Sequence, residues 1–259
     1  SPEVLPTYAE LKKQYEAEGY KPATGEVIRI QTEFPTLKSD PTIRSEYSYD
    51  PSSIPPAGGN MILNVFGGWR WRLGLQWAEW KFSVPEDGLY KVGIKVLQNH
   101  GERLPIARKI EIDGKIPCKE LEEFLFPYDR DYNITQLADE NGEPYYFYLT
   151  KGEHTLRMTC MVGPVARTIR MATAASLELA KLSRAIVMIT GPNPDPNFDW
   201  EIHKRIPELL PRMKALEEAF EEEAAWLRKF APKTRLAESL DLSKAIMSSM
   251  LRQPDYIPN

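Results

Sequence analysis

The spacing of the apolar residues changes once along this chain, at about residue 163, and no other feature constrains the fold as much. Before that point short segments alternate apolar and polar side chains, a period of two that puts alternate residues on opposite faces of a strand. After it, apolar residues recur at spacings of three and four, as in helices with one buried stripe. Strands segregated from helices over 259 residues predict a β region followed by an α region. A parallel α/β sheet would interleave the two.

The strand candidates begin with "EVIRIQTEF" and continue through "NMILNVF" and "QWAEWKFSV". In the last, Ala78, Trp80, Phe82 and Val84 share one face. "PEDG" then marks a turn, with Gly88 free to take positive φ. "LYKVGIKVL" places Tyr90, Val92, Ile94 and Val96 on one side. "RKIEIDGKIP" reads as a hairpin around Asp113-Gly114, and "YYFYLTKGEHTLRMTCMV" as a second one turning near Lys151-Gly152. Many short strands with regular turn punctuation predict an antiparallel β-sandwich.

Beyond Pro164, Leu179, Leu182, Ile186 and Ile189 form a first helical stripe. "TGPNPDPNFD" breaks the chain, with Asp199 as the expected N-cap of the next helix and Glu201 in its first turn. Leu209, Met213, Leu216, Phe220 and Leu227 make a second stripe, and Leu242, Ile246 and Met250 a third. The expected organisation is therefore an N-terminal helix and linker over 1–25, a β-sandwich over 26–163 and a three-helix bundle over 164–259.

Composition narrows the function. With 33 basic and 37 acidic residues the net charge is −4, so no global field recruits nucleic acid. No apolar run is long enough to span a bilayer. The "SPEVLP" start and "DYIPN" end read as those of an excised fragment or a mature form. Three well-separated histidines (His100, His154, His203) and no Cys-x-x-Cys predict no metal centre. Cys160 reads as a small core residue, with a disulfide to Cys118 as the alternative. No nucleophile-elbow, zincin or phosphate-loop motif is present, so no catalytic residue is assigned.

Four of the six tryptophans fall between positions 69 and 80, in "GGWRWRLGLQWAEW". Alternation assigns Trp80 to the core, and leaves Trp77 open between a second buried layer and an exposed platform. Trp69 and Trp71 come after two glycines and are interleaved with Arg70 and Arg72, the marks of an irregular loop. Sugars present apolar C–H faces and polar edges, so an aromatic plane beside forked donors suits a saccharide. Arginine stacked on tryptophan as plain loop packing is the competing reading. A second loop, "LQNHGERLP", adds Asn99, His100 and Arg103 at a strand end, where function collects. "FPYDRDYN" offers Tyr128, Asp129 and Asp131 on the same terms.

"QWAEWKFSVPEDGLYKVGIKV", "IEIDGK" and "YLTKGEHTLRM" resemble the galactose-binding-like sandwich, a jelly roll, of carbohydrate-binding module families 6 and 35. Residues 40–259, through "SDPTIRSEYSYD", "GGWRWRLGLQWAEW", "FPYDRDYN", "GEPYYFYLTKGEHTLRM" and "ITGPNPDPNFDWEIHKRIPELLPRMK", resemble a sandwich-plus-helices region of large extracellular solute-binding proteins of bacterial ABC transporters. This resemblance implies a non-catalytic carbohydrate-recognition region at a bacterial cell surface, accessory to the other domains of a transporter-associated protein. The ligand residues would be Trp69, Arg70, Trp71, Arg72, Asn99, His100 and Arg103. Family 35 modules often hold calcium through an acid-x-acid pair in the first strand. Gln31 and Glu33 stand there, one acid short, so no cofactor is assigned. Two alternatives stay open: a structural module docking the tryptophan loop on other domains, and a polysaccharide-degrading enzyme drawing on Glu79, Asp129 and Asp131.

Overall fold

The computed structural model describes residues 4–57 and 62–257. The chain forms two compact units, a β-rich one of residues 1–100 and 105–163 and a helical one of residues 101–104 and 164–259.

The β unit opens with α1 (Tyr8–Ala17), started by a capping box between Thr7 and Glu10. Its otherwise polar surface is fastened by Leu11, Tyr8 and Tyr15, which pack into the core of this unit. The main sheet joins β1 (Leu37–Lys38), β4 (Trp77–Val84), β11 (Gly152–Met161), β7 (Ile106–Ile112) and β8 (Phe124–Phe126) in that spatial order. Three two-stranded sheets accompany it: β2 (Ser45–Glu46) with β3 (Val65–Phe66), β5 (Gly88–Lys91) with β10 (Tyr146–Leu149), and β6 (Gly93–Val96) with β9 (Asn133–Gln136). All these pairings are antiparallel.

Alternation decides which side chains are buried. Ala78, Trp80 and Val84 of β4, Ile110 and Ile112 of β7 and Met158 of β11 point inward from the main sheet. Phe147 and Leu149 of β10 and Tyr90, Val92, Ile94 and Val96 meet them from the smaller sheets in the same cluster. Trp80 adds a hydrogen bond from its indole Nε1 to the Thr32 carbonyl at 2.8 Å.

Three strand expectations are corrected. "EVIRIQTEF" makes no strand: residues 26–32 are exposed and irregular, and the short edge strand comes later, at Leu37. No neighbouring strand offers its ladder to that alternating segment, and propensity alone does not hold a strand. "NMILNVF" contributes only Val65–Phe66, Asn60 and Met61 lying outside the described residues. The turn near Lys151-Gly152 joins strands that do not pair with each other. β10 pairs with β5 while β11 pairs with β4, so this turn and "PEDG" each carry the chain from one sheet to another. The two turns are tied by the Lys151 amide donating to Asp87 at 2.6 Å. At Asp113-Gly114 both residues take positive φ, as a tight primed turn requires, but the return strand is a single bridge from Lys115 to Ile112.

His154 sits behind that turn and carries a pH dependence. Its Nδ1 lies 2.7 Å from Asp113 Oδ2 and its Nε2 2.7 Å from the Thr150 carbonyl. A neutral imidazole has one N–H, so two acceptors are both satisfied only by the imidazolium. Burial works against that charge. The Thr150 and Asp113 bonds outweigh it and hold the pKa above its ordinary 6.5. Because the folded value is raised, this stabilisation is full below the ordinary histidine value and is lost as pH rises through the raised one. The urea midpoint of the β unit should fall over that interval, and His154→Gln should flatten the fall. A wild-type midpoint that stays level there contradicts the assignment.

The helical unit holds α2 (Val165–Thr190), a single turn α3 (Ile202–Arg205), α4 (Leu209–Arg228) and α5 (Arg235–Arg252). The α4 stripe of Leu209, Met213, Leu216, Phe220 and Leu227 is buried throughout. On α2, Leu182 is buried and Ile186 and Ile189 pack against the core, while Leu179 is exposed. Asp199 is not the N-cap of α3: its carboxylate accepts the Glu201 amide at 3.0 Å, and Glu201, in the left-handed region, holds the cap position. The third stripe is also corrected. Leu242 and Ile246 are 64% and 54% exposed, and α5 buries Ala237 and Met247 with Leu240 and Leu251 packed beside them. Residues spaced by four, then four again, rotate about 40° per step off a 3.6-residue face. Leu240, Met247 and Leu251 keep to it. Glu223 of α4 is buried and accepts from Arg167 Nε at 2.9 Å and Thr168 Oγ1 at 2.6 Å, which pins α2 to α4.

Candidate functional site

The loop between β3 and β4 begins at a glycine the geometry requires. Gly67 has φ of 88°, and a Cβ there would stand 2.9 Å from that of Trp71. A short 3-10 turn over Gly68–Arg70 comes next, closed by Arg70 N donating to the Gly67 carbonyl at 2.9 Å. Within this turn successive side chains diverge, and the two loop tryptophans separate.

Trp71 goes inward. Its ring packs against Phe66 and Trp80 at 5.3 and 6.0 Å, and its Nε1 donates to the Gln76 carbonyl at 3.2 Å. Arg108 lies against the ring with its guanidinium carbon 4.8 Å from the centroid. That arginine is buried and donates to the carbonyls of Ala107 and Trp71 at 3.1 and 3.3 Å. Burial pushes its pKa down. Trp71 is therefore half-buried against the core and seats the loop, with its ring engaged by Phe66, Trp80 and Arg108.

Trp69 goes outward and is 61% exposed. The Arg72 guanidinium lies over its ring, 4.3 Å from the centroid. The His100 imidazole stands nearly perpendicular to the indole, at 73° and 5.7 Å. Arg70 turns to Glu46, with Nε 2.7 Å from Oε1. The structure thus brings Trp69, Arg72 and His100 together, with Arg70 held beside them by its ion pair. His100 is placed from behind, its carbonyl accepting from Gln98 Nε2 at 2.9 Å. The Gln98 carbonyl in turn accepts the Asp129 amide at 2.8 Å, joining the "FPYDRDYN" loop to this strand end. Asn99 is exposed next to His100. Arg103 belongs to the Gly101–Leu104 segment of the helical unit, at φ of 66°.

Several neighbours were not singled out by sequence reasoning. Leu73 and Leu75 are exposed on the same loop, and Leu75 takes a φ of 69°. A non-glycine side chain in that region is strained, and such strain concentrates at ligand sites. Gln76 is buried and fastens the loop base, its Oε1 accepting from Leu73 N at 3.0 Å and its carbonyl from Cys160 N at 2.8 Å. Cys160 and Cys118 are both buried free thiols. Trp77 lies on the outer face of β4 under Arg157, whose guanidinium carbon is 4.1 Å from the ring and which pairs with Glu79 at 2.8 Å.

No curated protein matches the chain. Among solved structures, a Paenibacillus sp. cycloisomaltooligosaccharide glucanotransferase complexed with cycloisomaltoheptaose is similar at 13% identity and a TM-score of 0.39, over 60% of this chain and 20% of that one. A ruminal GH26 endo-beta-1,4-mannanase is similar at 16% identity and a TM-score of 0.29, over 51% of this chain and 24% of that one. The chain therefore spans about a fifth to a quarter of the length of these two structures. No helix among the described residues is long and apolar enough to cross a membrane. Residues 167–259, which cover α2 to α5 apart from the first two residues of α2, match the family model of the 4-helix bundle domain of bacterial solute-binding proteins.

Proposed function

We propose that this chain is an accessory region of an extracellular bacterial solute-binding protein of an ABC transporter, and that its β unit recognises a carbohydrate without transforming it. The transporter context is supported by the match of residues 167–259 to a solute-binding-protein bundle domain. The sugar reading is carried by one observation: Trp69 is an exposed indole on a loop seated in the core, with Arg72 and His100 at its side. A pyranose lays its C–H face on such a ring while the flanking donors take its hydroxyls. Binding without chemistry also suits the acids available. Glu79 is tied to Arg157, and Asp129 is occupied by the Asp131 amide and the Asn133 side chain.

Calorimetric titration of the whole chain against a panel of oligosaccharides should reveal at least one ligand. Trp69→Ala should weaken it by about 2 kcal/mol, roughly thirtyfold in Kd, with no change in the melting of the β unit. If no member of the panel binds, the carbohydrate reading fails. A second reading, docking of the loop on another domain of a longer protein, is favoured by the exposed Leu73 and Leu75. It predicts that Leu75→Asp disturbs assembly of that longer protein while sugar binding is absent.

A further inference from the structure

We infer that the saccharide taken by the Trp69 loop is acidic, carrying its charge as a uronate carboxylate. This inference rests on the carbohydrate reading of the same loop and specifies its ligand.

The charge balance of the loop points to an anion. Arg70 is neutralised by Glu46 at 2.7 Å. Arg72 has no such partner: among the described residues no carboxylate lies within ion-pair distance of it. Arg108, under the same loop, likewise has no carboxylate among the described residues: the carbonyls of Ala107 and Trp71 and the Trp71 ring face its guanidinium. A buried cation answered by dipoles and a ring, and not by an anion, keeps much of its field, because the surrounding protein screens less than water does. His100 adds a further polar ring beside Trp69. In a chain whose net charge is −4, this is a local positive spot and not part of a general basic surface.

The chemistry of Arg72 suits a carboxylate. Its guanidinium lies over the indole, 4.3 Å from the centroid, and is a planar fork of N–H donors that no carboxylate among the described residues claims. Two parallel N–H groups match the two oxygens of a planar carboxylate, a fork-to-fork contact that a lone hydroxyl cannot make. A sugar ring on the remaining open part of Trp69 would present an equatorial C5 carboxylate at its own edge, alongside that fork. A neutral hexose has only a hydroxymethyl group there.

The test uses the whole chain and matched ligands: oligomers of galacturonate, glucuronate and mannuronate, the methyl ester of each, neutral gluco- and xylo-oligosaccharides, and polyaspartate as an anion without sugar. At physiological ionic strength at least one uronate oligomer should bind roughly tenfold or more tighter than its own methyl ester. Arg72→Gln should bring that ratio close to one while binding of the ester persists. Arg72→Lys should restore only part of it, since an ammonium keeps the charge and lacks the fork. Equal affinity for acid and ester overturns the inference and leaves the carbohydrate reading standing. Polyaspartate competing as well as the uronate oligomer also overturns it, since charge alone would then suffice. Failure of every saccharide to bind removes the carbohydrate reading and this inference together.

Discussion

Trp80→Ala should lower the stability of the β unit by about 3–5 kcal/mol, the largest loss expected from any single substitution in the main sheet. Trp80 is buried on the core-facing side of β4, with Phe66 and Trp71 packed on its ring at 5.5 and 6.0 Å. Truncation removes the apolar area, leaves a cavity that neighbouring rings cannot fill without leaving their rotamers, and strands the Thr32 carbonyl that its Nε1 satisfies. Urea unfolding followed by far-ultraviolet circular dichroism and by the remaining fluorescence of Trp71 and Trp77 measures it. A drop below about 1 kcal/mol would place Trp80 outside the core, contrary to its contacts.

Leu227→Ala should cost the helical unit about 2–5 kcal/mol, toward the upper end of that span. Leu227 is fully buried on α4, and its cluster includes Ala224, Ala231 and Ala237. Alanines have no side-chain rotamers with which to lean into a void, so any filling falls to Leu104, Leu236 and Leu240, and the cavity volume that remains sets the cost. Leu242→Ala on the exposed side of α5 is the matched control, with an expected change within about 0.5 kcal/mol. Chemical unfolding monitored through Trp226, which neighbours this cluster, reports both. Equal effects for the two leucines would reverse the assignment of faces on α5.

The two substitutions also mark where the sequence was legible. β4 and α4 each meet one large buried surface, so the alternation through Trp80 and the stripe through Leu227 could be read directly. Alternation tells which face a residue is on but not which layer its strand joins, and the turn at Lys151-Gly152 therefore reads as a hairpin. The irregular segment 26–32 carries the same alternation as a strand without a partner to pair with. On α5, three large apolar residues spaced by four read as a stripe and mask Ala237, Leu240, Met247 and Leu251, which keep the true helical period. In the candidate site, Trp69 and Trp71 could not be told apart, because a loop has no period to assign their directions. Arg108 did leave a signal: in "IARKIEI" it occupies the face of Ile106, Ile110 and Ile112, where a charge is out of place. Its partner across the core, Trp71, was invisible without coordinates.

The anchoring of the loop through Gln76, Trp71 and the end of β11 has a consequence for how this protein can diversify. Apart from the Arg70–Glu46 ion pair, the bonds that fix the loop lie at its root, to main-chain atoms and among rings packed on the core. The crest, at Trp69 and Arg72, contributes little to that anchorage. Exchanging crest residues would therefore retune the preferred guest without re-registering any strand. The root acts as a socket, and the crest as its replaceable tool.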